Sequence, residues 1–284
     1  MNLEYIDLIM QRRFRVNLSS IGGISIQYPI VVLDLDGTLL NTDKQISKRN
    51  YEAIVTCSKQ GVRFIYATAR PPRAVRLLLP EEFLHSGSFI YYNGAYIHCN
   101  YTGIQQYEHI DPAITAELIN YGMEINNELG LSLEVEDQWI SLKEYDYTTL
   151  IRVKENPMIK SLEEFKGIAA TKVLFTGFKD IDFLREKFES RLNVLVTDGG
   201  NLVQISSIKA SKENALRILC KAMKIKVEDV MVFGDDFNDI GLFEICGWSV
   251  AMGNAIEELK ILSKEITDTN DSDGVARVLE RMLG

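Results

Sequence analysis

Acidic side chains follow an apolar segment that has the composition of a buried parallel strand. Residues 28–35 read YPIVVLDL, and the motif DLDGT starts at Asp34. Side chains two positions apart on a strand point to the same side, so Asp34 and Asp36 are predicted to lie next to each other. Gly37 permits an abrupt turn after them. We interpret the pair as functional, although turn-forming Asp residues are also common after strands.

A second acidic segment follows another apolar run. Residues 234–239 read GDDFND, in which Asp235, Asp236, Asn238 and Asp239 offer hard oxygen ligands of the kind that suits Mg²⁺. The alternative is a solvated loop with an Asp or Asn helix cap. In a parallel sheet both acidic segments reach the same edge, where their carboxylates repel unless a cation lies between them. We therefore predict a magnesium site.

Two further groups are predicted at this edge, and both suit an anion. Thr68 follows the second strand within Thr68-Ala69-Arg70, and its hydroxyl can donate a hydrogen bond to a phosphate oxygen. Lys212 opens a helix, where a lysine opposes the helix dipole, and this placement makes sense if the lysine neutralises an anion. A solvated lysine is the alternative. Arg70 and Arg73 fit either phosphate binding or surface ion pairs.

Strands and helices alternate at both ends of the chain, which predicts a doubly wound parallel sheet with right-handed crossovers. We expect strands at 28–35, 62–66, 89–92, 229–234, 248–251 and 266–267. Helices are expected at 47–60, 211–223, 239–245, 255–263 and 274–283.

The middle of the chain follows a different pattern. Extended runs are expected at 105–110, 132–135, 138–142, 148–153, 172–177, 193–196 and 202–205, with helices at 111–129 and 181–191. This pattern favours an α+β domain inserted into an α/β core. We predict an insert of residues 100–205 and a core of residues 1–99 and 206–284. Residues 1–23 have no assigned role, although Leu3, Ile6 and Met10 have the spacing of a short amphipathic helix.

The composition excludes several classes of protein. The 284 residues carry a formal charge of −9, so the chain lacks the excess of basic residues that is typical of a general nucleic-acid binder. No apolar stretch has the length of a membrane span, and the N-terminal residues do not have the order of a signal peptide. The four cysteines lie far apart, so neither disulfides nor a zinc site is expected, and a reducing cytoplasm is the simplest location.

These motifs, in this order, resemble the haloacid dehalogenase superfamily of aspartate-nucleophile phosphotransferases. More narrowly, the chain resembles the Cof-type sugar-phosphatase branch, which has a class IIB cap. The resemblance covers about residues 28–284. Besides the two acidic segments it includes Asn93-Gly94-Ala95, SKENAL from Ser211, AMGNA from Ala251 and TNDSDGVARVL from Thr269.

The resemblance implies a role for each acidic residue. Asp34 would be the nucleophile and become an aspartyl-phosphate, while Asp36 would protonate the leaving oxygen and then activate water. Since Asp36 must hold a proton near neutral pH, we expect its pKa to be raised. Mg²⁺ would be bound by Asp34, the main-chain carbonyl of Asp36 and Asp235, with Asp239 either a direct ligand or a support.

The resemblance also implies phosphate binding by Thr68, Ala69, Lys212 and Asn238. Lys212 would additionally restrain Asp34, and Asn238 would orient the phosphate or Lys212. Ala69 stands where the family usually has glycine, so one methyl group approaches the phosphate site. The insert would be a cap that closes over the substrate.

The predicted function is a cytoplasmic Mg²⁺-dependent phosphatase for a small phosphorylated metabolite, either a sugar phosphate or a cofactor phosphate. Two alternatives stay open. A phosphomutase would return the phosphoryl group from Asp34 to a sugar and depend on a bisphosphate activator. A non-enzymatic protein would use the site to sense a phosphometabolite or as a phosphoacceptor. Receiver domains also combine acidic residues, threonine and lysine at the edge of a parallel sheet, but the large insert and the second acidic motif disfavour this alternative. No nucleic-acid or membrane partner is expected, and the sequence leaves the oligomeric state open.

Overall fold

The computed structural model describes residues 28–144 and 156–283. Within these residues the strands form an eight-stranded sheet and a six-stranded sheet. The predicted strand at 148–153 and the amphipathic segment within 1–23 lie outside the described residues. Among the helices that are described, none is long and apolar enough to cross a membrane.

The eight-stranded sheet has the order β14-β13-β12-β1-β2-β3-β4-β5. Neighbours from β14 to β3 are parallel, and β4 and β5 extend the sheet in antiparallel fashion. The strands are β1 (Ile30–Asp34), β2 (Arg63–Ala67), β3 (Ser88–Tyr91), β4 (Tyr96–Cys99), β5 (Gln105–Tyr107), β12 (Val230–Gly234), β13 (Trp248–Ala251) and β14 (Glu265–Ile266). The helices of this part are α1 (Lys48–Lys59), α2 (Pro72–Val75), α3 (Glu81–Ser86), α7 (Lys212–Met223), α8 (Ile240–Ile245), α9 (Glu257–Leu262) and α10 (Gly274–Leu283).

The large sheet forms because its central strands are apolar except at their ends, where β1 ends at Asp34 and β2 begins at Arg63. Strands β1 and β12 are buried along their whole length, as expected for parallel strands in the middle of an α/β sheet. Helices α1 and α7 begin where Ser47 and Ser211 accept hydrogen bonds from the backbone N–H groups of Asn50 and Asn214. These caps satisfy donors that the first helical turn leaves free.

The six-stranded sheet has the order β10-β11-β9-β6-β7-β8 and is antiparallel except for the β7–β8 pair. It encloses a separate apolar core that includes Leu133, Phe165 and Phe175. Its strands are β6 (Gly130–Val135), β7 (Gln138–Ser141), β8 (Met158–Ile159), β9 (Lys172–Thr176), β10 (Leu192–Thr197) and β11 (Leu202–Ser207). Its helices are α4 (Pro112–Ile125), α5 (Leu162–Lys166) and α6 (Ile181–Phe188).

Strand β5 lies in the large sheet, although the sequence predicted that it belongs to the insert. It pairs with β4 in the large sheet, where the rings of Tyr96 and Tyr107 stack with their centroids 3.9 Å apart. The chain then enters the six-stranded sheet and leaves it after β11, which ends at Ser207. We propose that the cap comprises residues 108–207 rather than 100–205.

The register of the large sheet brings the predicted site residues to one edge. Asp34 lies beside Ala67, the last residue of β2, so Thr68 follows at the same level. On the other side, Leu33 lies beside Phe233, so Gly234 and Asp235 continue toward the same edge. Three chain segments therefore end together at the carboxyl edge of the parallel strands, where α/β sheets bind ligands.

Candidate active site

A buried lysine lies between two carboxylates at this edge. Lys212 Nζ is 2.6 Å from Asp34 Oδ1 and 2.7 Å from Asp239 Oδ1. All three side chains are buried almost completely. Burial lowers the pKa of Lys212, but Asp239 and Asp34 outweigh this effect and hold the pKa above its ordinary value. Lys212 is therefore an ammonium group held in place by two carboxylates.

Asp235 completes a cluster of three carboxylates. One oxygen each of Asp34, Asp235 and Asp239 lies within 4.8 Å of the others. Thr38 Oγ1 donates a 2.8 Å hydrogen bond to Asp235 Oδ1 and fixes its side chain. Gly37 is required here, because it has φ +82° and an added Cβ would lie 2.1 Å from Asp235 Oδ2.

The acidic cluster carries more negative charge than Lys212 balances. Burial raises the pKa of Asp34, and Asp239 and Asp235 raise it further against the opposing effect of Lys212. Burial and the neighbouring carboxylates raise the pKa of Asp235 to about 7, although Thr38 opposes this. A hard cation would reverse both shifts, and a set of carboxylate oxygens is the donor chemistry that Mg²⁺ prefers. The residues present therefore fit a divalent metal.

Both oxygens of Asp239 are already engaged within the protein. Oδ1 accepts from Lys212 Nζ, and Oδ2 accepts from the backbone N–H groups of Asp235 and Asp236 at 3.1 and 3.3 Å. Gly234 is needed beside it, since an added Cβ would lie 2.6 Å from Asp239 Cγ. Asp239 thus holds both the lysine and the turn that carries Asp235.

Asp36 is bound by two cations instead of facing the acidic cluster. Arg70 Nε and Nη2 donate to Oδ2 and Oδ1 at 2.6 and 2.7 Å, and Lys44 Nζ donates to Oδ1 at 2.8 Å. Burial raises the pKa of Asp36, but these hydrogen bonds outweigh it and lower the pKa below its usual range. The expectation of a raised pKa for Asp36 is therefore wrong, because Arg70 and Lys44 both bind its carboxylate.

The predicted phosphate-binding groups surround the same edge. Thr68 is buried, and its Oγ1 accepts a 3.1 Å hydrogen bond from the backbone N–H of Arg70, which leaves the hydroxyl hydrogen free to donate. Asn238 Nδ2 donates to Asn93 Oδ1 at 3.0 Å and makes no hydrogen bond to Lys212 among the described residues. The Asn238 side chain is therefore held by the side chain of Asn93 and not by Lys212.

The six-stranded sheet covers the site through ion pairs that sequence reasoning left undecided. Arg73, in α2, donates from Nη1 and Nη2 to the two oxygens of Glu134 in β6, each at 2.6 Å. Its backbone N–H also donates to Asp137 Oδ1 at 2.9 Å, and Arg76 donates to Asp137 Oδ2 at 2.5 Å. Arg73 therefore joins the two sheets rather than binding phosphate.

A cavity of about 330 Å³ lies between the two sheets. Lys212, Asn93 and Asn238 line it from the large sheet. Lys172 and Gln204 line it from the six-stranded sheet. Sequence reasoning missed Lys172, Lys44 and Thr38 as site residues. Thr38 stood within the first motif, but for the two lysines only the packing of the sheets shows what they contact.

Comparisons with known proteins agree with this geometry. The sequence profile of the haloacid dehalogenase-like hydrolase family matches residues 31–279. Phosphatase YwpJ of Bacillus subtilis (strain 168) is 29% identical, covering 89% of this chain and 99% of YwpJ. YwtE of the same organism, a 5-amino-6-(5-phospho-D-ribitylamino)uracil phosphatase, is 26% identical over 89% of this chain and 97% of YwtE. The crystal structure of TM0651 from Thermotoga maritima superposes with a TM-score of 0.80 at 29% identity, covering 89% and 97% of the two chains.

The fold is a doubly wound α/β core with an inserted α+β cap, and the chain belongs to the haloacid dehalogenase-like hydrolases. It is a phosphatase of this family. The resemblance to the Cof-type branch is confirmed, since the family match covers residues 31–279 and the relative YwpJ is a phosphatase that aligns with 89% of this chain.

Proposed function

We propose that this phosphatase hydrolyses monoesters of small phosphorylated metabolites in two steps, with Asp34 as nucleophile and Mg²⁺ as cofactor. This proposal rests mainly on the 2.6 Å contact between Lys212 Nζ and Asp34 Oδ1 beside the acidic cluster. A carboxylate that attacks a phosphate dianion must overcome repulsion between like charges. A fixed ammonium group at the attacking oxygen removes part of that repulsion, and a covalent intermediate divides one difficult step into two.

In the first step, an oxygen of Asp34 forms a bond to phosphorus while the bond to the leaving oxygen breaks. In the second, water attacks the aspartyl-phosphate, inorganic phosphate leaves and the Asp34 carboxylate is restored. Asp36 is proposed to donate a proton to the leaving oxygen in the first step and to take a proton from the attacking water in the second, so that it ends the cycle protonated as it began. Its lowered pKa favours the ionised form, which suits water activation in the second step.

The metal would be held by Asp34, Asp235 and the main-chain carbonyl of Asp36. When bound, it supplies positive charge that offsets the charge of the phosphoryl oxygens. Asp239 is proposed to support this site by positioning the Asp235 turn, because both of its oxygens are already engaged.

The phosphoryl group would be held by the Thr68 hydroxyl, the Lys212 ammonium and the Asn238 amide, with Ala69 beside it. The role proposed for Thr68 is supported by its hydroxyl hydrogen, which is free to donate. The roles proposed for Lys212 and Asn238 are supported by their position on the wall of the cavity. The backbone around Ala69 is held from the cap, since Lys172 Nζ donates to the Ala69 carbonyl at 3.1 Å.

We infer that the substrate is a sugar phosphate or a cofactor phosphate. The cavity of about 330 Å³ suits a small leaving group, and the relative YwtE acts on a phosphorylated ribityl compound. The cytoplasm is the proposed location, because Cys57, Cys99, Cys220 and Cys246 are all buried free thiols.

The test is phosphate release from a panel of phosphorylated sugars, nucleotides and cofactors, with Mg²⁺ and with a chelator. Asp34→Asn keeps the shape of the nucleophile and removes its charge, and the exposed Asp43→Asn is the matched control. Release that requires Mg²⁺, persists in Asp43→Asn and disappears in Asp34→Asn supports the proposal. Undiminished release by Asp34→Asn would overturn the covalent route, and release in chelator would overturn the metal requirement.

A further inference from the structure

Lys172 is a buried ammonium group on the cap side of the cavity. It is the first residue of β9, only 5% of its surface is exposed, and it lines the same cavity as Lys212. Its Nζ donates to Gln204 Oε1 at 2.8 Å and to the Ala69 carbonyl at 3.1 Å, and lies 5.3 Å from the centroid of the Tyr92 ring. An ammonium group has three N–H donors, so two neutral acceptors leave one donor unused.

The carboxylate opposite Lys172 on the neighbouring strand does not form an ion pair with it. Glu134 is its cross-strand partner, but both Glu134 oxygens are bound by Arg73 at 2.6 Å. Within the described ranges, no carboxylate oxygen lies within the 4.0 Å ion-pairing distance of Lys172 Nζ. The one acidic side chain that lines the cavity, Glu213, stands with Lys212 in α7 on the opposite wall.

A buried cation without an anionic partner is unfavourable, and an anion that binds beside it offsets that cost. Burial lowers the pKa of Lys172 to about 8, against the opposing effect of Glu134, so the group is still charged at neutral pH. An anion in the cavity would accept its unused donor and stabilise the charge. The phosphoryl group is not that anion, because it is proposed to bind Lys212 on the other wall of the cavity.

We propose that Lys172 selects substrates whose leaving group carries a second anionic group, a carboxylate or another phosphate, in the cavity between cap and core. This inference rests on the proposed function, because it takes the transferred phosphoryl group to lie at Asp34. The second anion would accept a hydrogen bond from Lys172 Nζ, beside the Gln204 amide. Lys172 is then a specificity-determining residue that takes no part in the bond-making steps.

The test uses pairs of compounds that differ in one anionic group. 3-Phosphoglycerate differs from glycerol 3-phosphate, and 6-phosphogluconate from sorbitol 6-phosphate, by a carboxylate in place of a hydroxymethyl group. Fructose 1,6-bisphosphate and fructose 6-phosphate form the phosphate arm. We expect kcat/KM for the acidic member of at least one pair to exceed that of its partner by about 10- to 100-fold, the range for one hydrogen bond to a charged group.

Lys172→Met keeps most of the length of the side chain and removes its charge, so it should bring that ratio close to one. The ratio is the readout, because loss of the hydrogen bond to the Ala69 carbonyl lowers kcat/KM for both members of a pair alike. Lys179→Met, at an exposed lysine of the cap, should leave the ratio unchanged. An equal loss for both members of a pair would show that Lys172 only supports the cap, and no preference in the wild type would also refute the inference.

A binding measurement separates this inference from the proposed function. Asp34→Asn is titrated calorimetrically with each pair, alone and combined with Lys172→Met. Tighter binding of the acidic member that depends on Lys172 would support the inference even if the wild-type protein releases no phosphate. Equal binding of both members, together with phosphate release by the wild type, would refute the inference and leave the phosphatase intact.

Discussion

Arg70 binds Asp36 through two parallel hydrogen bonds, from Nε to Oδ2 at 2.6 Å and from Nη2 to Oδ1 at 2.7 Å. This forked contact neutralises the residue that the family resemblance assigns to proton transfer. It also links the turn after β1 to the turn after β2, because Arg70 stands two residues beyond Thr68. The protonation of Asp36 is thus set by the segment that is proposed to bind the phosphoryl group.

Arg70→Met should raise the pKa of Asp36, because burial then acts with only Lys44 opposing it. If ionised Asp36 activates water, the acidic limb of the pH profile of kcat moves to higher pH, and activity near pH 5 falls more than activity near pH 8. Arg70→Lys, which keeps a charge without the fork, should give a smaller displacement. An acidic limb that does not move in Arg70→Met would refute a role for this contact in proton transfer.

Protons and Mg²⁺ should compete for the acidic cluster. Burial raises the pKa of Asp235 to about 7, so at pH 6 this carboxyl is mostly protonated and at pH 8 it is ionised. The rise in melting temperature on adding Mg²⁺ should therefore be larger at pH 8 than at pH 6, by about 2–4 °C for each kcal/mol of added binding. An equal rise at both pH values would count against Asp235 as a ligand.

The same raised pKa predicts how stability depends on pH without metal. The folded state retains the Asp235 proton up to about pH 7, whereas the unfolded chain loses it near pH 4, so the folded state binds more protons between these values. The contribution of Asp235 to stability therefore falls as pH rises through this window. Asp235→Asn should remove that decline and should be more stable than the wild type in chelator at pH 8. Denaturant unfolding in chelator at pH 5 and pH 8 measures both effects.

Arg73→Met should loosen the cap from the core. It leaves Glu134, whose side chain is 6% exposed, without its bidentate partner, at a cost of about 2 kcal/mol. We expect faster amide exchange in β6 and β7 and a lower kcat/KM. Arg76→Met is the matched control, because its contact with Asp137 is more exposed and contributes less than about 1 kcal/mol. Equal exchange rates in the two variants would argue against Arg73 as the main link.

Much of the large sheet follows from local pattern. Strands β1 and β12 are continuous apolar runs, and each ends in a motif whose carboxylates the parallel register must bring together. The contact between Lys212 and Asp34 was expected from the family resemblance, whereas the position of Lys212 at the start of a helix indicated only that it could neutralise an anion. Strand β5 was misplaced because Gln105–Tyr107 is short and polar, and only its pairing with β4 assigns it to the core.

The contacts that cross between segments were beyond sequence reasoning. Arg70 is two residues from Thr68 in sequence, but its choice of Asp36 depends on how far the turns after β1 and β2 project from the sheet. The burial of Lys172 depends on the cap lying against Ala69, and a lysine that opens a predicted strand otherwise indicates an exposed end. Spacing along one segment determines which face a side chain occupies, not which distant group it meets.

The pKa of Lys172 gives a last prediction that needs no substrate. Its folded value of about 8 lies below the ordinary value of 10.5, so the unfolded chain binds the extra proton between these pH values. Stability contributed by this residue therefore rises with pH across that window, by about 3 kcal/mol in total. Denaturant unfolding of the wild type and Lys172→Met at pH 7.5 and pH 10 should show that the free energy of unfolding of the wild type rises with pH relative to that of the variant. A constant difference between the two proteins would mean that Lys172 has an ordinary pKa and is not the desolvated cation that an anionic leaving group would pair with.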